Sequence, residues 1–423
     1  MGMSIEREKI CTFIVQILIA IICISNCTVF GTMGNNLYYT TITLVVFWSV
    51  LYRRLNFRFV SKRQFLFVLI LIYNICFGVI VGSDSSAAST LLIYYFLGFL
   101  IYVVEWEIES LYAIIKILKA LTLVIAASII LEAVMIDVIL PLVYVFSAGS
   151  EKSILNEIAY GAYSGFAGEK ADAAFYMNIL FLITICSCIH KRKVAVKDGF
   201  VILLSLIALM LTGKRTLFMT IFVIAFILFM NSDIRFKGFK IFMIALVVAA
   251  VVFSIPKFFP QANFLFERLG DTSESGRSEL WNYAIQMFKE NPIFGMGLGS
   301  YNDYIFKEGY INPFTGGKWF AQCHCIYLQI LGELGIVGSI LMICLFLSNL
   351  YKAFFLMKHA ENNTTKLMSR ISLALQLLVL IYGITGNTMY YPFQIVLYGL
   401  SIAISETAYR NYSEEVIVYD YID

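Results

Sequence analysis

The chain has 423 residues, of which 60% are hydrophobic and only 14% are charged. An ordinary soluble domain carries about a quarter charged residues, so this chain has too little charge to cover a soluble surface. The net charge is +3, from 31 basic and 28 acidic residues, which is too small an excess for a polyanion-binding domain. The composition therefore excludes a disordered chain, a nucleic-acid-binding domain and a soluble enzyme, and it predicts an all-α, polytopic transmembrane bundle.

The first apolar run follows the charged residues 6–9 and lacks a small-residue cleavage site. We therefore expect a first membrane span rather than a cleaved signal peptide. A helix needs about 20 residues to cross the hydrocarbon layer, and fewer where neighbouring helices shelter it. Twelve apolar spans are predicted on this basis, near residues 10–30, 37–52, 65–82, 89–105, 111–131, 172–190, 199–213, 216–231, 239–256, 325–350, 368–388 and 391–408.

The orientation follows from the Lys and Arg residues, which gather after the second, sixth, eighth and tenth predicted spans. Because basic loops stay in the cytoplasm, all four clusters and both termini are predicted to be cytoplasmic. The run Ile136–Phe146 is short, and Pro141 is expected to break it. Counting it as a span would move later basic clusters outside, so we interpret it as interfacial or re-entrant.

The predicted organisation has three parts. Residues 1–256 hold transmembrane helices 1–9, residues 257–324 form an extracytoplasmic loop that carries catalytic residues, and residues 325–423 hold helices 10–12 and a cytoplasmic tail. A loop this long inside a compact protein is usually functional. A second outer segment, residues 132–170, is rich in Gly, Ser and Tyr.

Two adjacent cations, Lys214 and Arg215, separate two apolar runs and fall at the predicted outer face. Cations at membrane depth are costly and tend to mark anion or substrate sites, which favours a functional role. Basic side chains that extend to lipid phosphates would also explain them. The segment is not a Walker loop, because Ala208 stands where that pattern needs glycine.

Arg277 lies in the long outer loop, just before a predicted helix that Ser278 would cap and that continues through residues 282–290. A guanidinium fork beside the free N–H groups of a helix start suits a phosphate, although an ordinary surface arginine is the alternative. Ser278 is the predicted cap of this helix, and its predicted apolar face carries Trp281, Ile285 and Phe288. Asn291 and Pro292 are predicted to end it.

Alternating glycines follow in the segment 294–301 (FGMGLGSY). They resemble a nucleotide fingerprint only superficially, because no βαβ context exists. We expect a tight turn that brings the backbone close to a ligand or to a helix.

His324 begins the tenth span and is the histidine predicted to face outward, whereas His190 and His359 fall at cytoplasmic span ends. Neutral imidazole accepts a proton at neutral pH, so His324 is the candidate general base. The flanking Cys323 and Cys325 cannot easily close a tetrahedral zinc site, and a disulfide between them would be strained. Free thiols and no metal are therefore expected.

Glu333 lies nine residues into the same span, among Gly332, Gly335 and Gly338. An acid at that depth is expected to be paired or to face a polar cavity. The glycines permit close helix packing, so a role in orienting helices and a role at the site both remain open.

Four pieces in this order carry a resemblance: Gly213-Lys214-Arg215, Gly276-Arg277, residues 291–301 (NPIFGMGLGSY) and residues 324–338 (HCIYLQILGELGIVG). Over residues 211–340 the chain resembles the O-antigen polymerase and O-antigen ligase family of bacterial membrane glycosyltransferases. One departure is that both neighbours of the histidine are Cys, where the family often has Ser or Asn.

The resemblance implies a GT-C-like transferase in the bacterial plasma membrane, with its active site facing the periplasm. The donor would be a glycan on a polyprenyl diphosphate, and the partners would be that donor, its acceptor, membrane lipids and a chain-length regulator. His324 would be the base, while Arg215, Arg277 and Lys214 would bind the diphosphate without a metal or other cofactor. Supporting roles would fall to Glu333, Tyr327, Tyr301 and Trp281. Aromatic residues that offer flat faces to sugars, or that pack the loop, are Tyr301, Tyr304, Tyr310, Trp319 and Tyr327.

The motifs leave several functions open. A polymerase of O-antigen or capsule repeats is favoured over a ligase that passes the glycan to a lipid A core, although both share the donor chemistry. A flippase for lipid-linked oligosaccharides would explain the cations but has little use for a long outer loop with a histidine. A non-catalytic scaffold explains neither outward cation.

Overall fold

The computed structural model describes residues 2–26, 28–52, 54, 61–80, 85–232, 254–270, 277–311 and 321–420. These residues are almost entirely helical and contain no strand, apart from an isolated antiparallel bridge between Thr28 and Ser147. The prediction of an all-α fold is therefore confirmed.

The helices are numbered in chain order. They are α1 Gly2–Ile22, α2 Asn35–Leu51, α3 Lys62–Asn74, α4 Ser85–Val103, α5 Ile108–Val134, α6 Ile136–Phe146, α7 Glu151–Ala159, α8 Lys170–Lys191, α9 Val196–Leu211, α10 Arg215–Met230, α11 Asn263–Gly270, α12 Arg277–Glu290, α13 Tyr301–Lys307, α14 Ile326–His359, α15 Asn363–Tyr382 and α16 Pro392–Asp420. A π-helical turn, Ile75–Ile80, continues α3.

Among the described residues, α5, α8, α14 and α15 are each long and apolar enough to cross a membrane. Shorter apolar helices include α6, α10 and most of α4. The central packing runs from α4 to α16, from α16 to α15, and from α15 to α14 and α8, while α5 packs on α1, α8 and α9. The chain is a multi-pass membrane protein.

Each predicted span coincides with a described helix except 239–256, which lies largely outside the described residues. The first span was predicted too far along the chain, because α1 ends at Ile22 rather than near residue 30. Short polar side chains compete with helical hydrogen bonds there. Ser25 Oγ donates to the Ile22 carbonyl at 3.0 Å, and Asn26 Nδ2 donates to Asp172 Oδ2 at 2.7 Å.

The expectation that Pro141 breaks the run 136–146 is wrong, because α6 continues through it. Proline removes a single backbone hydrogen bond here, and the helix is retained by its buried side, which includes Val143. The opposite side exposes Val138 and Val145 by 64% and 63%. An apolar face that the protein does not cover fits the predicted interfacial position.

One ion pair lies inside the bundle. The Lys352 ammonium of α14 binds the Glu406 carboxylate of α16, and both residues are buried. Tyr102 of α4 donates its hydroxyl to the same carboxylate at 3.2 Å. The pair joins three helices at the end of α14 that is remote from His324.

Candidate active site

The long helix α14 is broken at Gly335, whose φ of 61° and ψ of −166° are not helical. The segment 291–300, called the glycine loop below, docks into this break. Its Met296 and Gly297 N–H groups donate to the carbonyls of residues 332 and 333, at 3.3 and 2.8 Å. In return, Ile336 and residue 337 donate to the carbonyls of residues 292 and 293, at 2.9 and 3.2 Å. The loop therefore supplies hydrogen-bond partners to the backbone groups beside the break, as a break within a membrane requires.

Glycine is needed where the two backbones meet. A Cβ on Gly295, which has a φ of 73°, would lie 2.2 Å from the Glu333 carbonyl oxygen. A Cβ on Gly335 would lie 2.5 Å from both the Gly295 nitrogen and the Ile293 carbonyl oxygen. The prediction that the alternating glycines bring backbone close to a helix is confirmed, and α14 is that helix.

The Glu333 carboxylate stabilises the same junction between the glycine loop and α14. It accepts hydrogen bonds from the N–H groups of Gly299 at 2.8 Å and Tyr301 at 3.1 Å, so it fixes the end of the glycine loop. Gln329 Nε2 and the Tyr390 hydroxyl complete its shell at 3.0 and 2.9 Å. These contacts favour the helix-orienting role for this acid over a role at the reacting atoms.

The outer segments have a small core of their own, the outer core. Its buried members are Leu280, Ala284, Met287, Tyr301, Ile305, Tyr310, Cys323 and Cys325. The predicted helix after Arg277 is confirmed, but it begins at Arg277, so Ser278 lies in its first turn rather than at its cap. The buried face is also offset by one residue, to 280, 284 and 287, because α12 packs closely against Gly332 of α14. Ile285 is consequently exposed.

His324 stands where the outer core meets the start of α14. Its φ is 54°, one of two positive values for non-glycine residues in the described chain. Such strain persists only where the surroundings enforce it, and it often marks functional sites. Buried Cys323 and Cys325 hold the backbone on either side, while the imidazole remains half-buried. Burial raises the pKa of the Cys323 thiol to about 12, so this residue is a packing group and not a thiolate nucleophile.

Two of the predicted cations lie close to that imidazole. Burial, the Arg277 charge and the Lys214 charge lower the pKa of His324 from 6.5 to about 4. Residues from α12, the start of α10 and the start of α14 therefore lie near one another, although Lys214 and Arg277 are 63 positions apart in the chain. Arg215 is the half-buried first residue of α10, next to Lys214.

The helix starts add to the positive potential. Helices α10, α12 and α14 all begin beside this site, and the positive end of a helix dipole lies at its start. Neither Lys214 before α10 nor Cys325 before α14 caps its helix with a side chain. Uncapped N–H groups, together with cations, are suited to binding an anion.

A carboxylate that the sequence did not reveal lies next to Lys214. Glu169 Oε1 is 3.8 Å from the Lys214 ammonium, and Glu169 Oε2 caps α8 by accepting from the N–H groups of residues 171 and 172. No spacing in the sequence signals the contact between Glu169 and Lys214, because the two residues are 45 positions apart in the chain.

The predicted aromatic residues are placed differently from one another. Tyr301 is 1% exposed and donates to the Leu280 carbonyl at 2.7 Å, so its ring packs in the outer core rather than facing a sugar. Tyr310 is buried there too. Tyr327 is 36% exposed and donates to the Leu380 carbonyl at 2.7 Å, whereas Trp281 is half-buried beside the outer core. Tyr304 is half-buried, and its hydroxyl donates to Glu290 at 2.6 Å. Trp319 lies outside the described residues.

The chain is similar over part of its length to a protein family and to known proteins. Residues 200–343 match the family model described as O-antigen ligase. A stretch of 136 residues is 29% identical to a Rickettsia conorii (strain Malish 7) protein provisionally named a polysaccharide ligase, and it covers 31% of this chain and 32% of that protein. About a third of the chain therefore resembles the O-antigen ligase family. A stretch of 185 residues is 26% identical to an uncharacterized Haemophilus influenzae (strain Rd) protein, over 40% of this chain and 46% of the relative.

The chain thus aligns with less than half the length of either relative. The segment that matches the family model holds Lys214, Arg277, His324 and Glu333. Glu169 lies outside it, on the part of the bundle that only the structure connects to the site.

Proposed function

We propose that the protein is a membrane glycosyltransferase that moves a glycan from a polyprenyl diphosphate to an acceptor hydroxyl on the outer face of the plasma membrane. The observation that carries this proposal is the meeting of one imidazole, His324, with the charges of Arg277 and Lys214. A transferase with a diphosphate leaving group needs a proton acceptor and positive charge at one place.

The reaction follows from those groups. The acceptor hydroxyl oxygen attacks the anomeric carbon, the bond from that carbon to the diphosphate oxygen breaks, and polyprenyl diphosphate leaves with the electron pair. The His324 ring nitrogen takes the hydroxyl proton. Arg277, Lys214 and Arg215 offset the charge that develops on the leaving oxygen, and Arg277 and Arg215 can do so with paired N–H donors.

The electrostatics suit this order of events. Burial and two cations keep the pKa of His324 near 4, so the imidazole is neutral and able to accept a proton at pH 7. A bound diphosphate would offset those cations, which raises the histidine's pKa and makes it a stronger base only when the donor is present. Because protein cations and helix starts supply the positive charge, we propose that the reaction needs no metal ion.

Two acceptors fit this chemistry. Transfer to another lipid-linked repeat would make the protein a polymerase of O-antigen or capsule repeats, and we propose this reaction on the motif resemblance. Transfer to a lipid A core would make it a ligase. The ligase description of the matching family and the name of the Rickettsia relative support the ligase as a second candidate.

The test is an in vitro assay with the purified protein and a lipid-linked repeat, with product length read on a gel. A ladder without added core lipid supports the polymerase, whereas product only with core lipid supports the ligase. Activity that EDTA abolishes and magnesium or manganese restores would overturn the metal-free proposal.

Variants test the roles of the residues. His324→Ala, Arg215→Ala and Arg277→Ala should abolish product at normal protein level, and Arg277→Lys should rescue poorly because an ammonium lacks the guanidinium fork. Lys289→Ala is the matched control, since Lys289 is exposed in the last turn of the same helix as Arg277. In cells, lipid-linked repeats that accumulate on the inner face of the membrane in the His324 variant would indicate a flippase instead.

A further inference from the structure

A carboxylate lies beside the cations of the candidate active site, where an anionic substrate is expected to bind. Glu169 Oε1 is 3.8 Å from the Lys214 ammonium, and both side chains are partly exposed, so an entering anion can reach the pair. An acid in this place weakens the binding of any anion, because like charges repel each other. Glu169 therefore acts against the diphosphate that the neighbouring cations attract.

Glu169 is held in place independently of Lys214. Its Oε2 accepts from the N–H groups of Ala171 at 2.8 Å and Asp172 at 3.1 Å, so the carboxylate caps α8. Helix starts attract anions, and at this helix start the chain's own carboxylate occupies two of the N–H groups. Lys214 precedes α10 and carries its ammonium on a flexible stem of four carbons. The ammonium can therefore move toward a bound phosphate and return, while the carboxylate stays in place.

The adjacent cation on α8 is paired with a different acid. Glu157 Oε2 accepts from the Lys170 N–H at 3.1 Å, and Glu157 Oε1 lies 3.8 Å from the Lys170 ammonium. Burial and the charge of Glu169 raise the pKa of Glu157 to about 7, whereas the charges of Lys170 and Lys214 act in the opposite direction. The charge of Glu169 thus acts on its surroundings, and Lys214 is the ammonium that faces it.

The proposed reaction, on which this inference rests, ends with a more highly charged ligand than it begins with. When the bond from the anomeric carbon to the diphosphate oxygen breaks, that oxygen keeps the electron pair and becomes a further ionisable group. A terminal phosphate of this kind has a second pKa of about 6, so it carries most of the extra charge at pH 7. Cations that bind the donor therefore bind the polyprenyl diphosphate product more tightly, which slows its release.

We propose that Glu169 promotes release of the polyprenyl diphosphate product. The carboxylate lowers the positive charge around the diphosphate, and it gives the Lys214 ammonium a partner as the product leaves. Because repulsion grows with the charge of the ligand, the product is affected more than the donor. Glu169 is thus a positioning residue that acts through Lys214 rather than on the reacting atoms.

The experiment uses the purified full chain, a lipid-linked repeat as donor and polyprenyl diphosphate as added product. Glu169→Gln removes the charge but keeps an amide oxygen that can accept from the N–H groups at the start of α8. We expect the inhibition constant of polyprenyl diphosphate to fall about fivefold, with a smaller fall in the KM for the donor. In rapid-quench kinetics the first turnover should keep its wild-type rate, and later turnovers should be slower.

Further variants separate charge from structure. Asp and Asn at position 169 are equal in size and both suit a helix start, but only Asp carries a charge. The inhibition constant should therefore be lower in Glu169→Asn than in Glu169→Asp, which repeats the test if Glu169→Gln does not fold. Glu151→Gln is the matched control, because it removes an acid that is exposed at the start of α7, and it should behave like the wild type.

An inhibition constant that is unchanged or higher in the neutral variants would overturn the proposal. A first turnover slowed as much as the later ones would also overturn it, because that result indicates a structural role or a role in the chemical step. Binding of polyprenyl diphosphate is measured directly by isothermal titration calorimetry, without turnover. A wild-type protein that makes no product refutes the proposed reaction and this role with it, whereas normal product without tighter binding in the neutral variants refutes only the role of Glu169.

Discussion

Replacing Gly335 by alanine should detach the glycine loop from α14. The residue has a φ of 61° and a ψ of −166°, a conformation that costs a non-glycine residue about 1–3 kcal/mol. The added Cβ would also lie 2.5 Å from backbone atoms of Gly295 and Ile293, which cannot rotate away. Alanine favours a continuous helix, so we expect α14 to straighten and the loop to leave the break.

Undocking adds the loss of the hydrogen bonds between the loop and α14. Four backbone bonds cross this junction, and each contributes about 0.5–1.5 kcal/mol. Together with the backbone strain, the lost hydrogen bonds disfavour the docked junction of the Gly335→Ala variant by several kcal/mol. A free-energy change of about 1.4 kcal/mol changes the docked population tenfold. We therefore expect at least a tenfold loss of transferase activity and faster proteolysis within residues 291–300, at unchanged protein level.

Gly309→Ala is the matched control. Gly309 also has a positive φ, 77°, but a Cβ there would meet no atom within 4 Å. This variant pays the conformational cost without a clash and should keep most activity. If Gly335→Ala shows wild-type activity and wild-type proteolysis, or is no worse than Gly309→Ala, the junction does not hold the site together and the reasoning is refuted.

Three further predictions concern charge. The acid limb of kcat/KM should lie near pH 4 rather than 6.5, because the pKa of His324 is lowered, and Lys214→Met should move that limb upward by removing a cation. Glu333→Gln should lower the unfolding temperature, since each carboxylate oxygen accepts from one backbone N–H, and the amide NH₂ that replaces one oxygen would face such a donor at a cost of about 1–3 kcal/mol. Lys352→Met should destabilise by about 3–5 kcal/mol, and adding Glu406→Leu should restore most of this, as measured by thermal unfolding.

Each has a contrary outcome. If the acid limb of kcat/KM lies near pH 6.5 and does not shift in Lys214→Met, then the cations do not lower the pKa of His324. An unchanged unfolding temperature in Glu333→Gln would mean that the carboxylate is not needed at the junction. A double variant at 352 and 406 that is no more stable than the single one would show that loss of packing, rather than an uncompensated buried charge, causes the destabilisation.

The spans were predictable because apolar length is a strong local signal, and α5, α8 and α10 end within three residues of expectation. The helix after Arg277 was predictable from its polar start and its Asn-Pro stop. Its buried face was not, because Gly332 on a distant helix decides which side of α12 packs inward. The apolar periodicity of the α12 sequence alone fits either of two adjacent helix faces nearly equally well.

Two features of the site were beyond local pattern. The break at Gly335 falls inside an apolar run of ordinary appearance, and only docking of the glycine loop makes it stable. The ion pair between Glu169 and Lys214 depends on tertiary packing of α8 near the start of α10. The histidine and cations, in contrast, were visible because charged residues are scarce at the outer ends of the predicted spans.

The interlock between the glycine loop and α14 limits how this protein can be recombined with its relatives. A chimera that exchanged only the glycine loop would place a foreign loop against the native break in α14. The backbone groups beside the break would then lie in lipid without hydrogen-bond partners. Crossover points should therefore lie before residue 277 and after residue 338, so that both halves of the joint travel together. A swap of sugar preference between homologues would then require the exchange of residues 277–338 as one unit, which includes part of the membrane helix α14.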